Sequence, residues 1–314
     1  AEELAQGNNY ALFDLNLDVR GLRREHIRRL PITPDVAVLG ASHWQEANAD
    51  LVPHRLFYNA HVHRDYHEDL LAVTEMLIRY DRLPDTLVLS IRDLTFAPID
   101  ERTDYLWLTG LSDYRAMMAR LQLESHSWFE MMPERHWLGL FSLSTMLSNA
   151  WRELTEPAKP GPTRTTSMPT LDVLQPDGSI RWSTDHLAQF TPERRREQVD
   201  LALQERLNYA SRIDPRAVES IDRLLGLLTT KGVRIVLIHP PFNPEFYERL
   251  GNSPYSAGLK QVESLTRNLA QRHGAIVVGS FDPARSGCVA NMYIDSEHSN
   301  PDCLRRVLTQ IPNL

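Results

Sequence analysis

Ser42, Asp295 and His298 are the residues of this chain whose types and spacing could do chemistry together. Ser42 lies in VLGASHW, where an apolar run gives way to a turn. If that run is a strand of an open α/β sheet, the serine stands outside its carboxyl end, where such sheets bind ligands. A hydroxyl entering a turn there is exposed and has backbone N–H groups beside it that can hold a developing oxyanion. The same position also suits an ordinary helix cap. Asp295 and His298 are separated by two residues in YIDSEHSN (293–300). On a tight loop that spacing lets the carboxylate orient the imidazole and stabilise its cation, while the second ring nitrogen faces a nucleophile. Taken alone, the segment also reads as a polar loop with a capping Asp and an exposed His.

Other residues bear on the same chemistry. His43 follows the serine and either faces a pocket or caps the turn. His61 and His63 alternate in HVHRDYH, so a strand would put them on one side, where two imidazoles can share a zinc ion. No third ligand follows, since His67 falls in the next helical pattern. No metal or cofactor is therefore expected. Tyr105, Trp107, Tyr114, Trp128, Trp137, Trp151 and Trp182 gather in the middle of the chain. Their rings suit a sugar groove or the packing of a helical cap, and packing is favoured. Arg194, Arg195 and Arg196 read as a solvated helix face.

The elements that would position these residues are legible as short apolar runs. DVAVLGAS (35–42), TLVLSI (86–91), VRIVLIH (233–239) and AIVVGS (275–280) are near-continuous, as strands buried on both faces are. LFYNAHV (56–62) is a weaker fifth strand. Between them, 66–82 repeats Leu70, Val73, Leu77 and Tyr80 on one helical face, and 215–230 repeats Val218, Ile221, Leu225 and Leu228. Asp214 and Pro215 form a cap and first residue there. In 257–273 the stripe is Leu259, Val262, Leu265 and Leu269, stopped by Gly274. Asn300 and Pro301 open a last helix with Leu304, Val307 and Leu308. Strands alternating with helices predict a mainly parallel five-stranded sheet with helices on both faces.

The alternation breaks between about 97 and 213. That stretch holds helical patterns near 112–123 and 139–154, a Pro/Thr/Ser-rich run at 156–169, a hairpin signal at Asp177-Gly178 and a helix start at Thr191-Pro192. It reads as a large helical insertion or cap on a single domain spanning 1–314.

Bulk composition fits a globular chain. The 314 residues are 42% hydrophobic and carry a formal net charge of -7, which gives no electrostatic reason to expect nucleic acid. No apolar run reaches the roughly 20 residues needed to span a bilayer. The chain opens AEELAQ without an initiator Met, which fits a processed product whose export signal or anchor is gone and fits a trimmed chain equally well. Cys288 and Cys303 match no zinc or CxxC spacing. They either pair in an oxidising compartment or stay separate thiols.

A GxS block after the first strand and a DxxH block before the last helix together resemble the SGNH (GDSL-like) hydrolase superfamily. The resemblance covers about 35–96 and 214–312. It is nearest to the bacterial cell-envelope branch that includes DltD and the alginate and cellulose acetylation factors. HPPFNPEFYERL (239–250) and GSFDPARSGC (279–288) resemble segments accompanying DxxH there. The resemblance implies a three-layer α/β/α fold of flavodoxin-like type with Ser42, His298 and Asp295 as a catalytic triad. It implies an O-acetyltransferase or acetylesterase on an exported polysaccharide, a periplasmic or other extracytoplasmic location, and a membrane-bound acyl donor as a possible partner. The block that usually supplies an oxyanion-hole Gly here reads Asn59-Ala60, and the block that usually supplies an Asn side chain reads Ser90-Ile91-Arg92-Asp93. Arg92 and the N–H of Ala60 or His61 would then serve as donors, although Arg92 also reads as a surface arginine paired with Asp93 or another acid. The same departures fit an inactive carbohydrate-binding relative.

Overall fold

The computed structural model describes residues 1–12, 18–63, 66–98, 110–125, 162–207 and 212–314. Its strands are, in chain order, β1 (Asn9–Leu12), β2 (Val36–Leu39), β3 (Phe57–Asn59), β4 (Thr86–Ser90), β5 (Pro162–Thr163), β6 (Asp172–Leu174), β7 (Ile180–Arg181), β8 (Arg234–His239) and β9 (Ile276–Gly279). All four apolar runs and the weaker fifth one form strands. They make one sheet in the order β3-β2-β4-β8-β9, every pair parallel. The chain leaves β2 for β3 on one side and then crosses to β4 on the other. The strand order therefore reverses at β2, and the crevice at its carboxyl end is a topological switch point.

The strands are apolar throughout because each face has its own core. Ala37, Leu39, Leu87, Leu89, Ile235 and Leu237 pack with Leu70 and Leu77 of the helix His67–Arg79 and with Ile221, Leu225 and Leu228 of the helix Pro215–Thr230. The residues between them, Val36, Val38, Val88, Val236 and Ile238, pack on Trp44 and on Leu304, Val307 and Leu308 of the helix Pro301–Leu308. This is the period-two alternation of a pleated strand, with apolar partners on both sides.

Helix ends follow the expected chemistry. The Asp214 side chain accepts from Arg216 N–H, and Asn300 accepts from Cys303 N–H. The third helix begins earlier than its apolar stripe suggests, at Pro254, behind the Ser253 cap. Gly274 ends it in the left-handed region, φ 66°.

The interrupting region is described only in part. The helix Leu111–Arg120 and the helix Pro192–Arg206, capped by Thr191, lie where the sequence places them. The 139–154 pattern lies outside the described residues, as do Tyr105, Trp107, Trp128, Trp137 and Trp151. Asp177-Gly178 does turn a hairpin, between β6 and β7. A second sheet, order β5-β1-β6-β7, recruits the N-terminal strand, which the sequence does not announce. The hairpin tip docks on the edge strand of the main sheet: Asn59 N–H donates to Asp177 O at 2.6 Å, and Arg23 donates to Gly178 O at 2.7 Å. Gly178 has φ +85°, and a Cβ there would lie 2.2 Å from Asn59 O, so only glycine fits. Among the described residues no helix is long and apolar enough to cross a membrane.

Candidate active site

The turn after β2 starts with a close approach. A Cβ on Gly40 would come within 2.5 Å of Ser90 Cβ and 2.9 Å of Trp44, so the bare backbone lets β2 run beside the end of β4. Ala41 is extended, and Ser42–Trp44 then form one 3-10 turn. That turn closes through Trp44 N–H to Ala41 O and Gln45 N–H to Ser42 O, bonds that do not involve the N–H of Ser42 or His43. Asn59, fully buried at the end of β3, clamps the next residues. Its Nδ2 donates to Trp44 O at 2.6 Å and to Ala47 O at 2.7 Å. Ser42 is left part-exposed above the sheet.

Asp295 and His298 come to the same place from the other end of the chain. Tyr293 and Ser299 form an antiparallel bridge, and Ile294 N–H donates to His298 O at 3.0 Å, which pinches 294–298 into a tight loop. Cys288 and Cys303 are bridged around it, with Cα atoms 5.3 Å apart. This settles the open choice between a pair and two thiols. Asn243 braces the loop from HPPFN, its Nδ2 donating to Asp295 O at 2.9 Å and its N–H to Ser296 O at 3.0 Å.

Within the loop, Asp295 Oδ1 accepts from the N–H of Glu297 at 2.8 Å and of His298 at 2.7 Å. Asp295 Oδ2 lies 2.7 Å from His298 Nδ1, and His298 Nε2 lies 2.7 Å from Ser42 Oγ. The structure thus brings the serine, imidazole and carboxylate into one hydrogen-bonded line across 256 positions. Burial disfavours the His298 cation, but the charge and hydrogen bond of Asp295 outweigh it and hold the imidazole above its ordinary value. Burial likewise opposes the Asp295 charge, and His298 with the two loop N–H groups overrides it and keeps the carboxyl below its ordinary value. Such a pair keeps the carboxylate ionised and the imidazole basic, which is what proton removal from a serine requires.

The expected oxyanion donors fare differently. Ala60 N–H donates to Val38 O at 2.8 Å, extending the β2–β3 ladder, and His61 N–H donates to Asn59 Oδ1 at 3.0 Å. Neither faces the serine as a ready donor, and the Asn59 amide is committed to the turn. The expectations for Ala60 and Asn59 as donors are therefore corrected: this block supports the Ser42 turn. Arg92 is buried, with Nε 3.2 Å from Asp93 Oδ1 and Nη2 3.8 Å from Glu297 Oε2. The pairing with Asp93 is the alternative that the sequence offered for Arg92, here buried rather than at the surface. His43 faces the site, its ring stacked 5.4 Å from that of His298 at 24°. Burial pushes it down, which keeps it neutral beside the more basic His298.

His61 sits against a cation, with its ring nitrogens 2.9 and 3.4 Å from Arg23 Nη2. That guanidinium would repel a metal ion, and among the described residues no group of three or more ligating side chains gathers. Tyr114 is buried in the main core, as packing requires. Trp182 is 7% exposed and presents to the edge of the His298 ring at 6.2 Å.

Sequence reasoning passed over Glu297, Arg206, Tyr255 and Asn243. Glu297 is inside DSEH and Asn243 inside HPPFN, so their motifs were visible while their partners were not. Arg206 ends a helix rich in arginine and carries no signal of burial. Neither a protein-family model nor a curated protein matches this chain.

Proposed function

We propose that the chain is an SGNH-type enzyme of three-layer α/β/α architecture that performs serine-dependent acyl-ester chemistry on an exported or cell-envelope polysaccharide. The observation that carries the reading is the pair of 2.7 Å contacts joining Ser42, His298 and Asp295. Supporting it is their position at the switch point of a parallel sheet.

The steps follow from the geometry. Ser42 Oγ attacks the acyl carbonyl carbon while its proton passes to His298 Nε2. The imidazolium is stabilised by Asp295, and the oxyanion meets the N–H groups of Ser42 and His43. Collapse expels the alcohol, which takes the proton back from His298 and leaves the acyl group on Ser42. Water or a sugar hydroxyl then gives its proton to His298 and attacks the acyl carbon; the acyl–Ser42 bond breaks and Ser42 Oγ takes that proton from His298. Water makes the chain an esterase and a sugar makes it an O-acyltransferase, fed in that case by a membrane-bound acyl donor. The disulfide supports an extracytoplasmic setting.

Ser42→Ala is expected to lower kcat for p-nitrophenyl acetate at least about 1,000-fold with an unchanged circular dichroism spectrum. Full turnover by that variant rules the nucleophile out. The occupied Ala60 N–H favours a second reading, a carbohydrate-binding relative without turnover. Glycan binding by a wild-type protein that leaves the ester intact selects it.

A further inference from the structure

Behind the triad lies a buried ionic network that the proposed acyl-transfer steps do not use. Glu297 is its hub. Its Oε2 lies 3.1 Å from His43 Nε2 and 3.8 Å from Arg92 Nη2, and its Oε1 is paired with Arg206 Nη2. Arg206 also donates to Tyr255 Oη at 3.0 Å and lies 3.8 Å from Asp93, to which Tyr255 donates at 2.5 Å. Two guanidinium groups face two carboxylates. Burial keeps the His43 and Tyr255 side chains neutral, so the charges balance.

The four anchors come from separate elements. Glu297 is in the acid–base loop, His43 follows the nucleophile, Arg92 follows β4, and Arg206 ends the helix Pro192–Arg206. Only 12% of the Glu297 side chain is exposed. Removing one member of such a buried pair leaves an uncompensated charge, so the loop is not free to drift from the serine.

We propose that Glu297 is a positioning residue for the triad: it locks the acid–base loop to the Ser42 turn through His43 and to the helix Pro192–Arg206 through Arg206, and its negative charge favours the imidazolium formed when Ser42 gives up its proton. The role rests on the acyl-transfer reading above. His298 faces Asp295 and Glu297 from its own loop, His43 from the turn after β2, Arg92 from the turn after β4 and the Trp182 ring after β7. Glu297 adds to the pull of Asp295 on the imidazole proton, and Arg92 opposes it.

The test is a direct NMR titration of His298 in the full chain, because it needs no turnover and so stands apart from the fate of the enzyme reading. Direct observation is needed for a second reason. Glu46, buried four residues beyond Ser42, is pushed up to about 7 by burial, and a rate profile would mix the two groups. In Glu297→Gln the loss of the negative charge leaves Arg92 and Arg206 in excess, so the His298 pKa is expected to fall by about 0.5–2 units. Glu297→Asp keeps the charge but shortens the reach to His43 and Arg206. It is expected to lower kcat on p-nitrophenyl acetate about 10–100-fold with KM little changed. An unshifted His298 in Glu297→Gln overturns the proposal whatever happens to thermal stability. If that variant does not fold, wild-type kcat in Glu297→Asp overturns it instead.

Discussion

The turn that carries Ser42 is fixed by neutral contacts, the bare Gly40 backbone against Ser90 and the Asn59 amide on the carbonyls of Trp44 and Ala47. The loop that carries Asp295 and His298 is fixed by a disulfide and by charge, through Cys288–Cys303, the Asp295 carboxylate and the ion pairs of Glu297. A neutral clamp is indifferent to pH and to reductant across the physiological range. A covalent and ionic one is not. The comparison teaches that the Ser42 side of the site is held by contacts that pH and reductant leave alone, while the Asp295–His298 side depends on compartment and pH.

The largest break of this contrast is on the neutral side. Asn59→Ala leaves buried carbonyls without their donor, at a cost of about 1–3 kcal/mol for each group left unsatisfied. For the two carbonyls the expected loss is about 2–6 kcal/mol in urea unfolding, together with loss of ester turnover, and the loss should be the same with and without reductant. A reductant-dependent loss would mean that the two clamps are not separate.

On the covalent side, reduction of Cys288–Cys303 opens a 15-residue loop, worth about 3 kcal/mol in the chain-entropy account. Reduced protein is expected to unfold at lower urea and to lose activity before the sheet melts. An unchanged urea midpoint after complete reduction contradicts the role given to the bridge.

The smallest effect is the pH dependence of the Asp295–His298 pair. His298 is held above its ordinary 6.5, so its contribution to stability is full below that value and fades as pH rises through the folded pKa. Asp295 is held below its ordinary 3.8, so its contribution is full above that value and fades as pH falls through the folded pKa. The stability difference between wild type and Asp295→Asn should therefore be greatest between pH 3.8 and 6.5. A difference that is flat across pH 3.8 to 9 would show that the pair carries no charge interaction.

The main sheet was legible because strands buried on both faces cannot hide their apolar runs, and the helices between them carry clear stripes and caps. The meeting of Ser42, His298 and Asp295 was legible for a different reason, since the two blocks sit at sheet ends that the pattern already located. The second sheet was not legible. Its strands are two to four residues long, too short for any period, and β1 pairs with partners more than 150 positions away. The commitment of the Ala60 N–H was not legible because the direction of a backbone N–H is set by register: Val38 opposite Asn59 in the ladder hands the next N–H to Val38 O. Arg206 could not be found because a run of charged helical residues reads as solvated until the fold turns its last member inward.

Chemical trapping tests the central claim most directly. The protein is mixed with p-nitrophenyl acetate, quenched in acid within one turnover and mapped by peptide mass spectrometry. The account predicts an acetyl group on the peptide bearing Ser42 in wild-type protein and none there in His298→Ala. Turnover of the ester with the acetyl group on another residue, or with Ser42 unmodified while a different residue carries the burst, would contradict it.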